Sequence, residues 1–180
     1  MNPVALIAVI GVATIALSIF RTAKTVSSLT WNVTRFGIYH FAVSGEMVLR
    51  VRLRIGNPMN TPITINFIDV SAYIDPTVDN QGNVLNRGSY ISSVMVPGGF
   101  VIQPNAVTEK EFYINVRWVD IAKYLISNVT AIIDSFSNAE SLNSVVNALL
   151  SHKFLIQGNL KAESINIPIS QVVSLVDERQ

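Results

Sequence analysis

Apolar and polar positions follow three different patterns along this chain of 180 residues. The first is a mostly apolar run, interrupted only by the small polar Thr14 and Ser18. From Pro3 to Phe20 the chain reads PVALIAVIGVATIALSIF, and no charged side chain precedes Arg21. About eighteen apolar residues are enough to raise a transmembrane helix as the leading reading. At 1.5 Å per residue the run spans roughly 27 Å, close to the ~30 Å hydrocarbon core. The pattern predicts a membrane anchor made by Pro3, Val4, Leu6, Ile7, Val9, Ile10, Val12, Ile15, Leu17, Ile19 and Phe20. A signal peptide would carry its positive residues before the apolar core. Here Arg21, Lys24 and Arg35 come after it. The positive-inside rule then gives an N-out, single-pass topology with the body on the cytoplasmic side. A core or partner-packing helix and an uncleaved signal are the competing readings of the same run.

The second pattern has period two. Across Glu46–Ile55, Met47, Leu49, Val51, Leu53 and Ile55 alternate with Glu46, Arg50, Arg52 and Arg54. That is a strand with one buried face, and Gly56-Asn57-Pro58 ends it because proline lacks a ladder donor. Ile63–Ile74 is the next strand. Its apolar phase changes after Phe67, which predicts a bulge near Ile68-Asp69. Asp75–Asn83 is turn chemistry, and Val84–Met95 is a strand that Arg87-Gly88 interrupts. Pro97-Gly98-Gly99 and Gln103-Pro104-Asn105 read as sharp turns, and Thr108–Trp118 alternates again. Lys153–Ile169 returns to strand, with a bulge expected at Gly158.

The third pattern has period 3.6. Ile121, Leu125, Val129, Ile132 and Phe136 share one helical face, with Asp120 as N-cap. A second helix is expected at Ser141–Ser151. The whole predicts a mainly β protein: an immunoglobulin- or fibronectin-like β-sandwich with a helical insertion near residues 119–151, behind an N-terminal transmembrane helix. Residues 1–29 form the anchor and linker, and 30–180 the sandwich.

Composition adds little chemistry. Net charge is +1, so bulk electrostatics make no case for nucleic acid. Cysteine is absent, which excludes disulfides and thiolate metal sites. His40 and His152 lack a second ligand at metal spacing. Asp75, Asp79 and Asn83 suggest a calcium loop only faintly, because the glycine and terminal glutamate such a loop needs are missing. No nucleophile motif or phosphate loop is present. The expectation is a non-enzymatic protein with no cofactor, no metal and no small-molecule substrate. Its partners would be a lipid bilayer and other protein chains, or copies of itself. Arg50, Arg52 and Arg54 are the most suggestive polar feature. Alternate residues of a strand face one way, so their guanidinium groups stand roughly 7 Å apart. Such a row suits anionic lipid or an acidic partner. A solvated face with Glu109 or Glu111 as neighbours is the plainer reading.

The segment VRLRIGNPMNTPITINFIDVSAYID carries Asn57-Pro58 and Pro62-Ile63, and KFLIQGNLKAESINIPIS closes the chain's β region. In these pieces the chain resembles the late embryogenesis abundant group 2 family, also called the water stress and hypersensitive response domain, over roughly residues 31–176. The resemblance implies a sandwich, often behind a membrane anchor, and a role in stress protection or envelope maintenance without catalysis. The long polar connection 75–87 departs from the family pattern. A second expectation is a minor structural protein of a membrane-containing virion or other large assembly, tethering its internal membrane to a protein shell.

Overall fold

The structure is a computed structural model that describes residues 28–42, 46–117, 120–121 and 139–179. The elements run β1 (Thr30–Phe41), β2 (Glu46–Asn57), β3 (Ile63–Ile74), β4 (Thr77–Val78), β5 (Val84–Asn86), β6 (Ser89–Ile102), β7 (Ala106–Arg117), α1 (Ala139–Leu150), β8 (Lys153–Ala162), β9 (Ile165–Ser174) and β10 (Val176–Asp177). The first sheet has the order β10-β1-β2-β7 and the second β6-β3-β8-β9, while β4 and β5 make a small ribbon. Alternation explains both layers. Met47, Leu49, Val51, Leu53 and Ile55 of β2 and Phe112, Ile114 and Val116 of β7 point inward from the first sheet. Ile63, Ile65, Ile68, Val70, Ala72 and Ile74 of β3 and Phe154, Ile156 and Leu160 of β8 meet them from the second. Each large side chain fully removed from water contributes on the order of 1.5–3 kcal/mol. Phe36 and Phe154 touch across the interior with ring centroids 5.3 Å apart. Val146 and Leu149 of α1, together with Ile121, join the same core.

Two side-chain latches tie the layers at their margins. At one, Ser92 Oγ donates to the Asn115 carbonyl, 3.0 Å, joining β6 to β7. At the other, the Gln171 amide acts like a strand residue. Val33 N–H donates to its Oε1 at 2.8 Å, and its Nε2 donates back to the Val33 carbonyl at 3.2 Å.

Several expectations change. The predicted transmembrane helix is overturned as a part of this fold: among the described residues no helix is long and apolar enough to cross a membrane. The run holding Pro3, Val4, Leu6, Ile7, Val9, Ile10, Val12, Ile15, Leu17, Ile19 and Phe20 lies outside the described residues. The helical insertion is described only as α1 and the helical positions 120–121; the predicted first helix otherwise lies outside the described residues.

Within the sheets, Pro97-Gly98-Gly99 is no turn. β6 runs through it, because Gly98 has no Cβ to collide with the Asn66 backbone. There β6 carries one extra residue against β3, and β3 carries one extra residue, Asn66, against β8. The β3 phase change therefore falls at Asn66, not at Ile68-Asp69, so Ile68 turns inward and Phe67 outward. Gly158 sits in unbroken register with both neighbours.

Candidate interaction surfaces

The arginine row lies on the outer face of the first sheet, and the ladder decides what each member meets. Arg52 stands opposite Glu111 and Arg54 opposite Glu109 on β7. Arg52 Nε donates to Glu111 Oε1 at 2.7 Å, and its Nη2 makes a second contact to the same oxygen. That hydrogen bond holds the Glu111 carboxyl below the usual range, with the Arg52 charge adding to it.

Arg50 meets a residue far away in sequence. Its Nε donates to Glu178 Oε2 at 2.6 Å, and Arg35 of β1 pairs with the other oxygen of the same carboxylate. The hydrogen bond from Arg50 to Glu178 raises the guanidinium pKa further above its ordinary value. The Glu178 side chain is 2% exposed. It fits because Gly37, directly beneath, has no Cβ: one built there would fall 2.5 Å from Glu178 Cδ. The Arg50 guanidinium lies 5.3 Å from the Tyr39 ring centre, and Tyr39 packs on Tyr113 at 5.1 Å. Tyr39, His40, Arg50 and Glu178 line a cavity of about 370 Å³. This face is a lattice of opposed charges, so an anionic lipid or acidic partner would have to compete with carboxylates already in place.

The outer face of the second sheet has a different chemistry. Its register gives one row of Tyr90, Tyr73, Leu155 and Val172, another of Ser93, Ser71, Gln157 and Ser170, and a third of Met95, Asp69, Asn159 and Pro168. Phe67 and Pro97 follow, beside Lys161, whose ammonium lies 5.4 Å from the Phe67 ring centre. Tyr73 and Tyr90 meet edge to face at 5.7 Å. Met95 is 68% exposed, Tyr90 52% and Val101 47%, yet Leu155 in the first row is fully buried. The first sheet also exposes Tyr39, Val107 and Tyr113, so what sets the second face apart is its sparse charge, not apolar area alone.

Asn57 and Pro58, the motif behind the family resemblance, have a structural role. Asn57 is buried, and its Nδ2 donates to the carbonyls of Thr61 (2.8 Å), Ile102 (3.2 Å) and Gln103 (3.2 Å). Its Oδ1 accepts from Met59 N–H at 3.1 Å. One side chain thus pins the β2–β3 connection to the β6–β7 turn, while exposed Pro58 stops β2.

The acidic turn is an internal network. Asp79 accepts from Gln81 N–H, Asn83 N–H and Asn83 Nδ2, and the bonds from Asn83 hold its carboxyl low. His152 acquires a carboxylate partner that spacing did not reveal: its Nδ1 is 2.7 Å from Asp75 Oδ1. Among the described residues no group of three acidic or histidine side chains could hold a metal ion.

No family model matches the chain and no curated protein matches it. Solved structures resemble it weakly in shape. An Arabidopsis thaliana protein solved in solution, AT1g01470, superposes with a TM-score of 0.47 at 13% identity, covering 81% of each chain. A solution structure described as "a putative late embryogenesis abundant (LEA) protein" gives 0.38 at 9%, covering 92% of this chain and 86% of that one. The sporulation control protein Spo0M of Bacillus subtilis gives 0.40 at 11%, covering 82% of this chain and 48% of that one. A distant likeness to a late-embryogenesis-type protein is what these comparisons provide; they do not assign the chain to that family.

Proposed function

We propose that the chain is a non-enzymatic β-sandwich module that engages a protein of low surface charge through the outer face of its second sheet. The observation that carries this reading is the exposure of Met95, Tyr90 and Val101 on one edge strand, β6, beside the Tyr73–Tyr90 pair. Large apolar side chains gathered on one face mark contact sites more often than scattered ones do. The partner's low charge follows from the face itself: Asp69, Lys153 and Lys161 are the charged outward residues of β3, β8 and β9, so a highly charged surface would lose its hydration there while gaining few partners. The first sheet, where Arg52 is paired with Glu111 and Arg35 and Arg50 with Glu178, is the face left toward water.

The test is a photo-crosslinking amino acid placed at Met95 and, in a separate chain, at Glu109. The expected result is one discrete protein adduct from position 95 and none from position 109, in the cell of origin. Equal crosslinking from both faces would sink the proposal.

A further inference from the structure

The segment after β9 is held to the edge of β1 in the way a foreign peptide would be. β10 pairs in parallel with β1 at two positions, Gly37 with Val176 and Ile38 with Asp177, and Glu178 N–H donates to the Ile38 carbonyl at 3.0 Å. Leu175 is 4% exposed and joins the core. Three residues on, the Glu178 carboxylate drops into the space above Gly37, between Arg35 and Arg50. Main-chain pairing with a sheet edge, an apolar plug and a charge clamp are the three parts of strand-addition recognition.

The receiving side is built from other parts of the molecule. Arg50 is backed by the Tyr39 ring and Tyr39 by Tyr113. Further along the same edge, Val33 is matched by the Gln171 side chain instead of a strand. A cleft of about 470 Å³ continues there, lined by Val33, Thr34, Arg35, Val173 and Val176 among others. An edge covered by two residues and one side chain is a weakly guarded strand edge.

We propose that the β1 edge, with Gly37, Arg35 and Arg50, is a docking site for an extended peptide of the pattern Leu-x-x-Glu running parallel to β1, and that Leu175–Glu178 occupies it as an internal ligand. The occupant is acidic because two guanidinium groups converge on one carboxylate. It is extended because only an extended backbone meets Ile38.

The experiment uses the full chain carrying Glu178→Ala, which weakens the internal ligand, and a fluorescent peptide VSLVDER, the sequence of residues 173–179. Fluorescence anisotropy should give saturable binding at least about tenfold tighter than to the unchanged chain. Replacing the peptide's Glu by Gln, or adding Gly37→Val to the chain, should reduce binding by about tenfold or more. No saturable binding to a variant with native circular dichroism, or binding indifferent to the peptide's Glu, overturns the proposal. Doubled mass that Gly37→Val abolishes would assign the edge to strand exchange between copies, and overturns it too. Should Glu178→Ala fail to fold, hydrogen exchange on the unchanged chain decides. A Glu178 amide that exchanges well before the β1–β2 ladder supports the site; one that exchanges only with that ladder refutes it.

Discussion

The two outer faces of the sandwich follow the same alternation rule but use it differently. On the first sheet, β2 sends Arg50, Arg52 and Arg54 outward, β7 answers with Glu109 and Glu111, and Glu178 arrives from the far end of the β region. On the second sheet, the outward positions of β3, β6 and β8 hold Tyr73, Phe67, Tyr90, Met95 and Leu155, with hydroxyls and amides between them. An ion-paired face gains little from a partner, because its charges already have counterparts and stay near water. An apolar face gains from any cover that removes water. The contrast teaches that the arginine row is spent largely on carboxylates of its own chain, Arg52 on Glu111 and Arg50 on Glu178, so its open faces offer less than the row's length suggests. The quieter face carries the proposed contact.

Substitutions can break or sharpen this contrast. The largest effect is expected at Leu155, an outward residue that is nevertheless fully buried. Leu155→Ala should cost about 3 kcal/mol of stability, as in a core, measured by urea unfolding. A loss below about 1 kcal/mol would show that this part of the second face is not sealed. Next is Glu178→Ala. Its carboxylate is buried, but Arg35 is 46% exposed and Arg50 19%, so screening reduces the loss to about 1–2 kcal/mol. The loss should shrink in high salt, which would separate a charge effect from lost packing.

Smaller still is Glu111→Gln, at about 0.5 kcal/mol for a pair that is one-third exposed. Its pH dependence has a definite sign. Glu111, Asp79 and Asp177 have depressed folded-state pKa values, through Arg52, Asn83 and Arg179 respectively. Their stabilisation is complete above the ordinary carboxylate range, about pH 4–4.5, and is lost as pH falls through the lower folded values. Thermal melts at pH 7 and pH 3 should therefore differ less for Glu111→Gln than for the unchanged chain. The smallest effect on folding is expected for Met95→Lys, within about 0.5 kcal/mol. With the photo-crosslinking amino acid placed at Tyr90 instead, the same change should remove the protein adduct. Loss of the fold would mean that Met95 packs inward, and unchanged crosslinking would move the contact elsewhere.

Much of the sandwich was legible in the chain. Strict alternation in β2 placed five inward residues and three outward arginines correctly, because a half-buried strand repeats every two residues. β1 was not legible. Its register with β2 slips at Thr34 and again at Tyr39, so no run of alternation survives in TWNVTRFGIYHF. The Pro97-Gly98-Gly99 stretch looked like a turn because those residues usually make one, and only its neighbour Asn66 explains why a strand passes through. Asn57 stood out as a motif, yet its reach to Ile102 and Gln103 across 45 and 46 positions is visible only in the fold.

What the sequence determined by itself was local: which residues alternate, where chain direction changes, and that no cysteine chemistry operates. Those properties depend on neighbours within a few positions, so a linear reading recovers them. What the tertiary structure decided was pairing. Glu178 lies 128 positions from Arg50, and Gln171 lies 138 from Val33. Such contacts depend on sheet order and on the space left by a missing Cβ at Gly37, neither of which leaves a periodic trace in the chain.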